Sequence, residues 1–131
     1  MDLSIKQAES LTDKANQLLS DIRSQFNTKV YIAGPMSNFP DNNRGAFNDV
    51  ASLLRHAGFV VLNPAILPDG LSQQEYMQID LTMLMIADTV VLLDGWQNSP
   101  GAVTEYHLAY KLAKEIVPEA DINNQLLKRF A

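Results

Sequence analysis

Apolar residues open this chain in a helical rhythm. Leu11, Ala15, Leu18 and Ile22 lie at i, i+4, i+7 and i+11, one stripe of an amphipathic helix over residues 3–26 that ends near Asn27-Thr28. The rhythm then changes. Lys29-Val-Tyr-Ile-Ala33 is a short β-type run stopped by Gly34-Pro35. Residues 43–56 return to helical spacing, with Phe47, Val50, Ala51 and Leu54 on one face and Gly58 as a C-terminal stop. A second strand, 59–62, ends at Asn63-Pro64. Ser72 is an N-cap for a helix over residues 73–87. A third strand, 89–93, runs into turn formers, and a helix starts at Pro100-Gly101, where proline's missing N–H costs nothing. Ile116-Val117 is a short fourth strand before a helix over 122–130.

Strands that are near-continuous apolar runs, alternating with helices, predict a parallel sheet covered on both faces. The expected fold is α/β, a flavodoxin/Rossmann-like three-layer αβα sandwich with four to five parallel strands and an extra N-terminal helix. Residues 1–28 form that helix, which either covers the sheet or mediates self-association, and 29–131 form the α/β domain.

This topology focuses attention on the strand ends. In a parallel sheet the loops after Ala33, Leu62 and Leu93 share one edge, so Gly34-Pro35-Met36-Ser37, Asn63-Pro64 and Asp94-Gly95-Trp96 face one crevice. Glu105 lies just beyond, on a stripe with Leu108, Ala109 and Leu112. Asp80 stands on the middle helix between Ile79 and Leu81. Two carboxylates in half-buried settings can be driven to different pKa values, making one an acid and the other a nucleophile. Spacing alone also reads each as a partly exposed or paired residue, Asp80 more readily than Glu105. Tyr31 and Trp96 offer flat faces for a base, or ordinary packing. Ser99, with the N–H groups at the start of its helix around Gly101, forms an anion cradle. Asp88 reads as a cap or turn group, and Met77, Met83 and Met85 as core filler.

Composition narrows the field. At 131 residues, 47% apolar and 19% charged, the chain has enough apolar material for a core and is no disordered segment. Its net charge of −5 comes without a Lys/Arg cluster, which argues against duplex nucleic acid as a partner. Without cysteine there is no disulfide, thiolate metal site or thiol nucleophile, a pattern that fits a cytoplasmic protein. The two histidines lack metal-ligand spacing, and GxGxxG and GxxxxGK[ST] are both missing. No metal, no cofactor and no membrane partner are expected. The apolar-dominated run 79–93 is broken by Asp80 and Asp88 and does not span a bilayer.

Four stretches in collinear order carry a resemblance. They are Val30-Tyr-Ile-Ala-Gly-Pro-Met-Ser37, Asn43-Arg-Gly-Ala-Phe47, Gly58-Phe-Val-Val-Leu-Asn-Pro-Ala65 and Asp94-Gly-Trp-Gln-Asn-Ser-Pro-Gly-Ala-Val-Thr-Glu105. Over residues 29–117 the chain resembles the DUF4406 group of the nucleoside 2-deoxyribosyltransferase-like superfamily, common in phages and prophages. The superfamily includes nucleoside 2-deoxyribosyltransferases and 2'-deoxynucleoside 5'-monophosphate N-glycosidases. The resemblance implies Glu105 as the nucleophile, Asp80 as the group that handles the leaving base's proton, and Tyr31 beside the nucleophile. It puts Ser99 at a 5'-phosphate contact, with Gly34, Pro35, Met36, Asn63, Asp94, Gly95, Trp96 and Gly101 around the substrate. It also implies a homodimer or higher homo-oligomer, since superfamily members complete their sites with a neighbouring subunit. Two features depart from the pattern. Pro35-Met36-Ser37 lacks the arginine of the nucleotide hydrolases, a place that Arg44 would fill, and Ser99-Pro100-Gly101 stands where relatives carry Ser-Arg-Gly. The implied activity is cleavage or transfer of the N-glycosidic bond of a nucleoside or its 5'-monophosphate. The alternative is a non-catalytic protein that binds or sequesters a nucleotide.

Overall fold

A computed structural model describes the backbone of residues 2–130. Its element order is α1 (Asp2–Asn27), β1 (Lys29–Ala33), α2 (Arg44–His56), β2 (Val60–Leu62), α3 (Gln73–Ile86), β3 (Thr89–Leu92), α4 (Pro100–Lys111), β4 (Glu115–Pro118) and α5 (Ile122–Gln125), with short 3₁₀ segments between them. The four strands form one parallel sheet in the order β2-β1-β3-β4. Tyr31 at the centre is in register with Leu62 on one side and Val90 on the other.

Period-two alternation assigns the strand residues to two cores. Val30, Ile32, Val91, Leu93 and Val117 meet Phe47, Val50, Ala51 and Leu54 of α2 and Ile122 of α5. Tyr31, Ala33, Val90 and Leu92 meet Leu84 of α3 and Ala109 of α4. Helices therefore cover both faces of a sheet whose central strands have no water-facing side, which is why β1 and β3 carry apolar residues continuously. The architecture is the three-layer αβα sandwich that the periodicity implies.

Local signals act as their chemistry dictates. Ser72 closes a capping box with Glu75 at the start of α3, and Gly58 takes a φ of 97° just beyond α2. Asp88 accepts a hydrogen bond from the Lys29 N–H at 2.9 Å, tying the β3 entrance to β1. Two expectations change. The 122–130 helix breaks after one turn into α5 and a 3₁₀ segment, Leu127–Phe130, where Asn123-Asn124 favour helix weakly. Helix α1 does not cover the sheet: the side chains of residues 4–22 are exposed throughout. Among the described residues no helix is long and apolar enough to cross a membrane.

Candidate active site

The chain leaves β1 toward β2 and later returns to the opposite side as β3, so the crevice between β1 and β3 is a topological switch point. A cavity of about 510 Å³ opens there, within the range that holds a small-molecule ligand. Five segments line it: the loop after β1, the start of α2, the segment after β2, the inner face of α3 and the first turns of α4 with the loop before them. Gly34 makes the tight exit from β1. A Cβ on it would come 2.8 Å from the Leu93 Cβ, so only glycine lets the two strand ends approach this closely. Ser99 caps α4 by accepting from the Ala102 N–H at 3.2 Å, and Pro100 follows in the first turn. That start fixes the helical phase, which turns Glu105 inward onto the sheet beside Ala109, both buried. Leu112, on the same stripe, emerges 42% exposed, so the buried face of α4 is shorter than its sequence pattern.

Tyr31, Asp80 and Glu105 meet in the cavity floor from β1, α3 and α4. Each keeps a buried polar atom without a completed hydrogen bond: the Tyr31 hydroxyl, Asp80 Oδ1 and Glu105 Oε2. Burial drives the Glu105 pKa up to about 8. The neighbouring tyrosine hydroxyl draws it down and the Asp80 charge adds to the rise. Asp80 is less enclosed and is pushed up to about 6 by desolvation. The Tyr31 phenol is held well above its ordinary range by burial and then by the two carboxylates, so it stays a proton donor. Unsatisfied polar atoms in a cavity floor cost stability, and a ligand is one way to satisfy them. Between pH 6 and 8 the pair keeps one proton between two carboxyls, a state suited to acid–base or nucleophilic work. Among the described residues no group of three or more His, Cys, Asp or Glu could hold a metal ion.

Of the residues singled out in the sequence, Tyr31, Gly34, Pro35, Met36, Arg44, Asp80, Ser99, Gly101 and Glu105 line this cavity. Four do not. Asn63 is buried in a structural role, its Oδ1 accepting from the Ala65 N–H and its Nδ2 donating to Asn48. The Asp94 N–H donates to Glu119 Oε1, holding that loop toward the end of β4. Gly95 starts the next turn with a φ of 85°. Trp96 packs on Tyr106 with ring centroids 4.8 Å apart, against the core on the α3/α4 face, and offers no platform in the cavity. Its place as the aromatic wall falls to Phe39, 46% exposed on the loop after β1. Gln73, Tyr76 and Met77 were also overlooked as lining residues. Their signal was present, since they precede Asp80 by seven, four and three positions on one helical face.

The fold and cavity together define a doubly wound α/β protein with two carboxyls, one buried and one half-buried, at its switch point. The chain belongs to the family described as a domain of unknown function, DUF4406, whose model matches residues 28–118. No curated protein matches it. Among solved structures it is similar to a 2-desoxiribosyltransferase from Leishmania mexicana, at 22% identity and a TM-score of 0.58. The match covers 70% of this chain and 63% of that one, so the chain spans less than two thirds of that protein. At this identity the likeness establishes a shared fold.

Proposed function

We propose that the chain cleaves or transfers the N-glycosidic bond of a nucleoside or its 5'-monophosphate. The observation that carries this reading is the convergence of Glu105, Asp80 and Tyr31, with unsatisfied polar atoms, in one nucleoside-sized cavity. The similarity to the Leishmania 2-desoxiribosyltransferase supports it. Ionised Glu105 attacks the anomeric carbon. The C1'–N bond breaks through an oxocarbenium-like transition state, its electron pair leaves with the base, and a glycosyl–Glu105 ester remains. Asp80 supplies the proton to the departing base, directly or through water. Water or a second base then attacks the ester and regenerates the carboxylate. Tyr31 stays protonated and holds the nucleophile in place.

A panel of nucleosides and 5'-monophosphates, with and without acceptor bases, tests this by chromatography of the released base. Mass spectrometry of the quenched protein should find the glycosyl adduct on the peptide carrying Glu105. Base release that is as fast in Glu105→Ala as in the parent would sink the mechanism. One observation favours a second reading, a binding protein without turnover: Glu105 is buried, which pushes its carboxyl up to about 8 and disfavours the ionised nucleophile. Nucleotide binding equal in parent and Glu105→Gln, with base released by neither, would establish that alternative.

A further inference from the structure

We propose that this cavity takes an uncharged nucleoside and rejects the 5'-phosphorylated form, an inference that rests on the reading above. The lining contains one cationic side chain, Arg44. Three of its five N–H groups are already engaged. Nη1 donates to Asp41 Oδ1 at 2.8 Å, while Nη2 donates to Asp69 Oδ1 at 2.6 Å and to the Leu67 carbonyl at 3.4 Å. Asn42 Nδ2 donates to the same Asp69 oxygen at 3.2 Å. Two carboxylates thus surround one guanidinium, and two more carboxyls, Asp80 and Glu105, occupy the floor.

The other sequence feature that suggests a phosphate site is also occupied. Ser99 spends an Oγ lone pair on the Ala102 N–H, and its carbonyl takes the Val103 N–H. Pro100 has no N–H to offer. Of the first four N–H positions of α4, only Gly101's is left for an anion. A phosphate monoester carries about −1.5 to −2 charges and three acceptor oxygens. The start of α4 supplies one backbone amide and one hydroxyl, and the neutral side chains elsewhere in the lining, such as Ser37, Asn38 and Asn98, bring no positive charge to offset the surrounding carboxylates. A neutral 5'-hydroxyl asks for no more than that.

The experiment compares each nucleoside with its own 5'-monophosphate in the parent and in Asp69→Asn and Asp41→Asn/Asp69→Asn. The parent should favour the nucleoside by about 100-fold or more in kcat/KM, as like charges placed together oppose binding. Neutralising the aspartates frees Arg44, and the preference should narrow by about tenfold or more. A parent that favours monophosphates, or a preference unmoved by both variants, overturns the proposal. Thermal shifts of Glu105→Gln make the same comparison without turnover. Stabilisation by nucleosides but not monophosphates supports the proposal, and the reverse or no stabilisation overturns it. Failure to release base from either class in the parent sinks the glycosidic reading, while these shifts still decide the ligand class.

Helix α1 presents a second, independent surface. Ala8, Leu11, Ala15, Leu18 and Ile22 alternate at three and four residues, a heptad seam, with Leu11 66% and Leu18 61% exposed. Ile5 and Leu19 widen the apolar face. We infer that the occupant is a second copy of α1, running antiparallel about a two-fold axis. With Ala15 against Leu18 of the other copy, Leu11 meets Ile22, and Lys14 lies across from Asp21 twice by symmetry. Parallel pairing in register would set Lys14 against Leu19 instead, so the charges select the antiparallel dimer.

Sedimentation of the full chain should show a dimer that Leu18→Lys converts to monomer. Lys14→Asp and Asp21→Lys should each raise the dimer Kd by about tenfold, and the double exchange should restore it. A monomeric parent, a dimer that survives Leu18→Lys, or single reversals without effect or rescue would overturn it.

Discussion

Gly34 and Glu105 are positions where one atom group decides the outcome. Gly34 is required by space: the Cβ of an alanine would sit 2.8 Å from the Leu93 Cβ, an atom that cannot swing aside. Gly34→Ala should therefore part the ends of β1 and β3 and cost about 1–3 kcal/mol, read as a lower urea midpoint. An unchanged midpoint would show that the strand ends are not so closely set. Glu105 is held by its environment. Its folded pKa is about 8 against an ordinary 4.5. As pH rises through that window the unfolded chain releases a proton that the folded chain keeps. Stability from this group is thus highest at low pH and falls until the carboxyl ionises in the fold near pH 8. Glu105→Gln removes the ionisation and should stabilise the protein more at pH 9 than at pH 5, by on the order of a few kcal/mol. Equal melting-temperature changes at the two pH values would rule out a raised pKa.

At the level of elements, most of the structure was legible because its signals are local. Ser72 with Glu75 announces the start of α3, and the box forms with hydrogen bonds of 2.9 and 3.1 Å. Ser72→Ala should lower stability by about 1 kcal/mol, measured by thermal unfolding, with Ser72→Asp restoring most of it. The apolar stripe of α2 and the continuous apolar runs of β1 and β3 were equally readable, since burial on one or two faces writes a period into the sequence. Features that depend on distant partners were not readable. Residues 41–43 adopt φ values of 50–60° in succession, a left-handed path that Asp and Asn tolerate. Asn43 Nδ2 holds that path with a 2.8 Å bond to the Pro35 carbonyl, and Arg44 reaches Asp69 from its end. Pro40-Asp-Asn-Asn43 signals a turn without revealing its hand. Trp96 was misplaced for a similar reason: a tryptophan beside glycine in a loop suits a ligand wall as well as a Tyr106 contact.

On the scale of the whole molecule, the candidate site exists only because the strand order is β2-β1-β3-β4. Asp80 and Glu105 stand on different helices, separated in sequence by all of β3, and the switch point brings them over Tyr31 of the central strand. The sequence offered the three residues but not their enclosure, and it is enclosure that sets their protonation. The pair titrates near 6 and 8 with Glu105 the stronger holder of the proton, opposite to the order in which a nucleophile and an acid are used. The productive arrangement, Glu105 ionised and Asp80 protonated, is then a minor form of the singly protonated pair. Its share of that pair does not vary with pH, so activity should follow the singly protonated population. The profile of kcat/KM should be a bell, falling below about 6 as both carboxyls protonate and above about 8 as both ionise. Asp80→Asn should abolish the alkaline limb by removing the acid. It should also raise the acid limb from about 6 to a value a little under 8, where Glu105 ionises once the Asp80 charge that helps to raise it is gone. Tyr31→Phe should instead move the alkaline limb upward in the otherwise unchanged protein, since the hydroxyl favours the ionised Glu105 carboxylate. Measured rates for the three proteins between pH 5 and 9 decide the matter, and a flat parent profile would show that these carboxyls do not carry the chemistry.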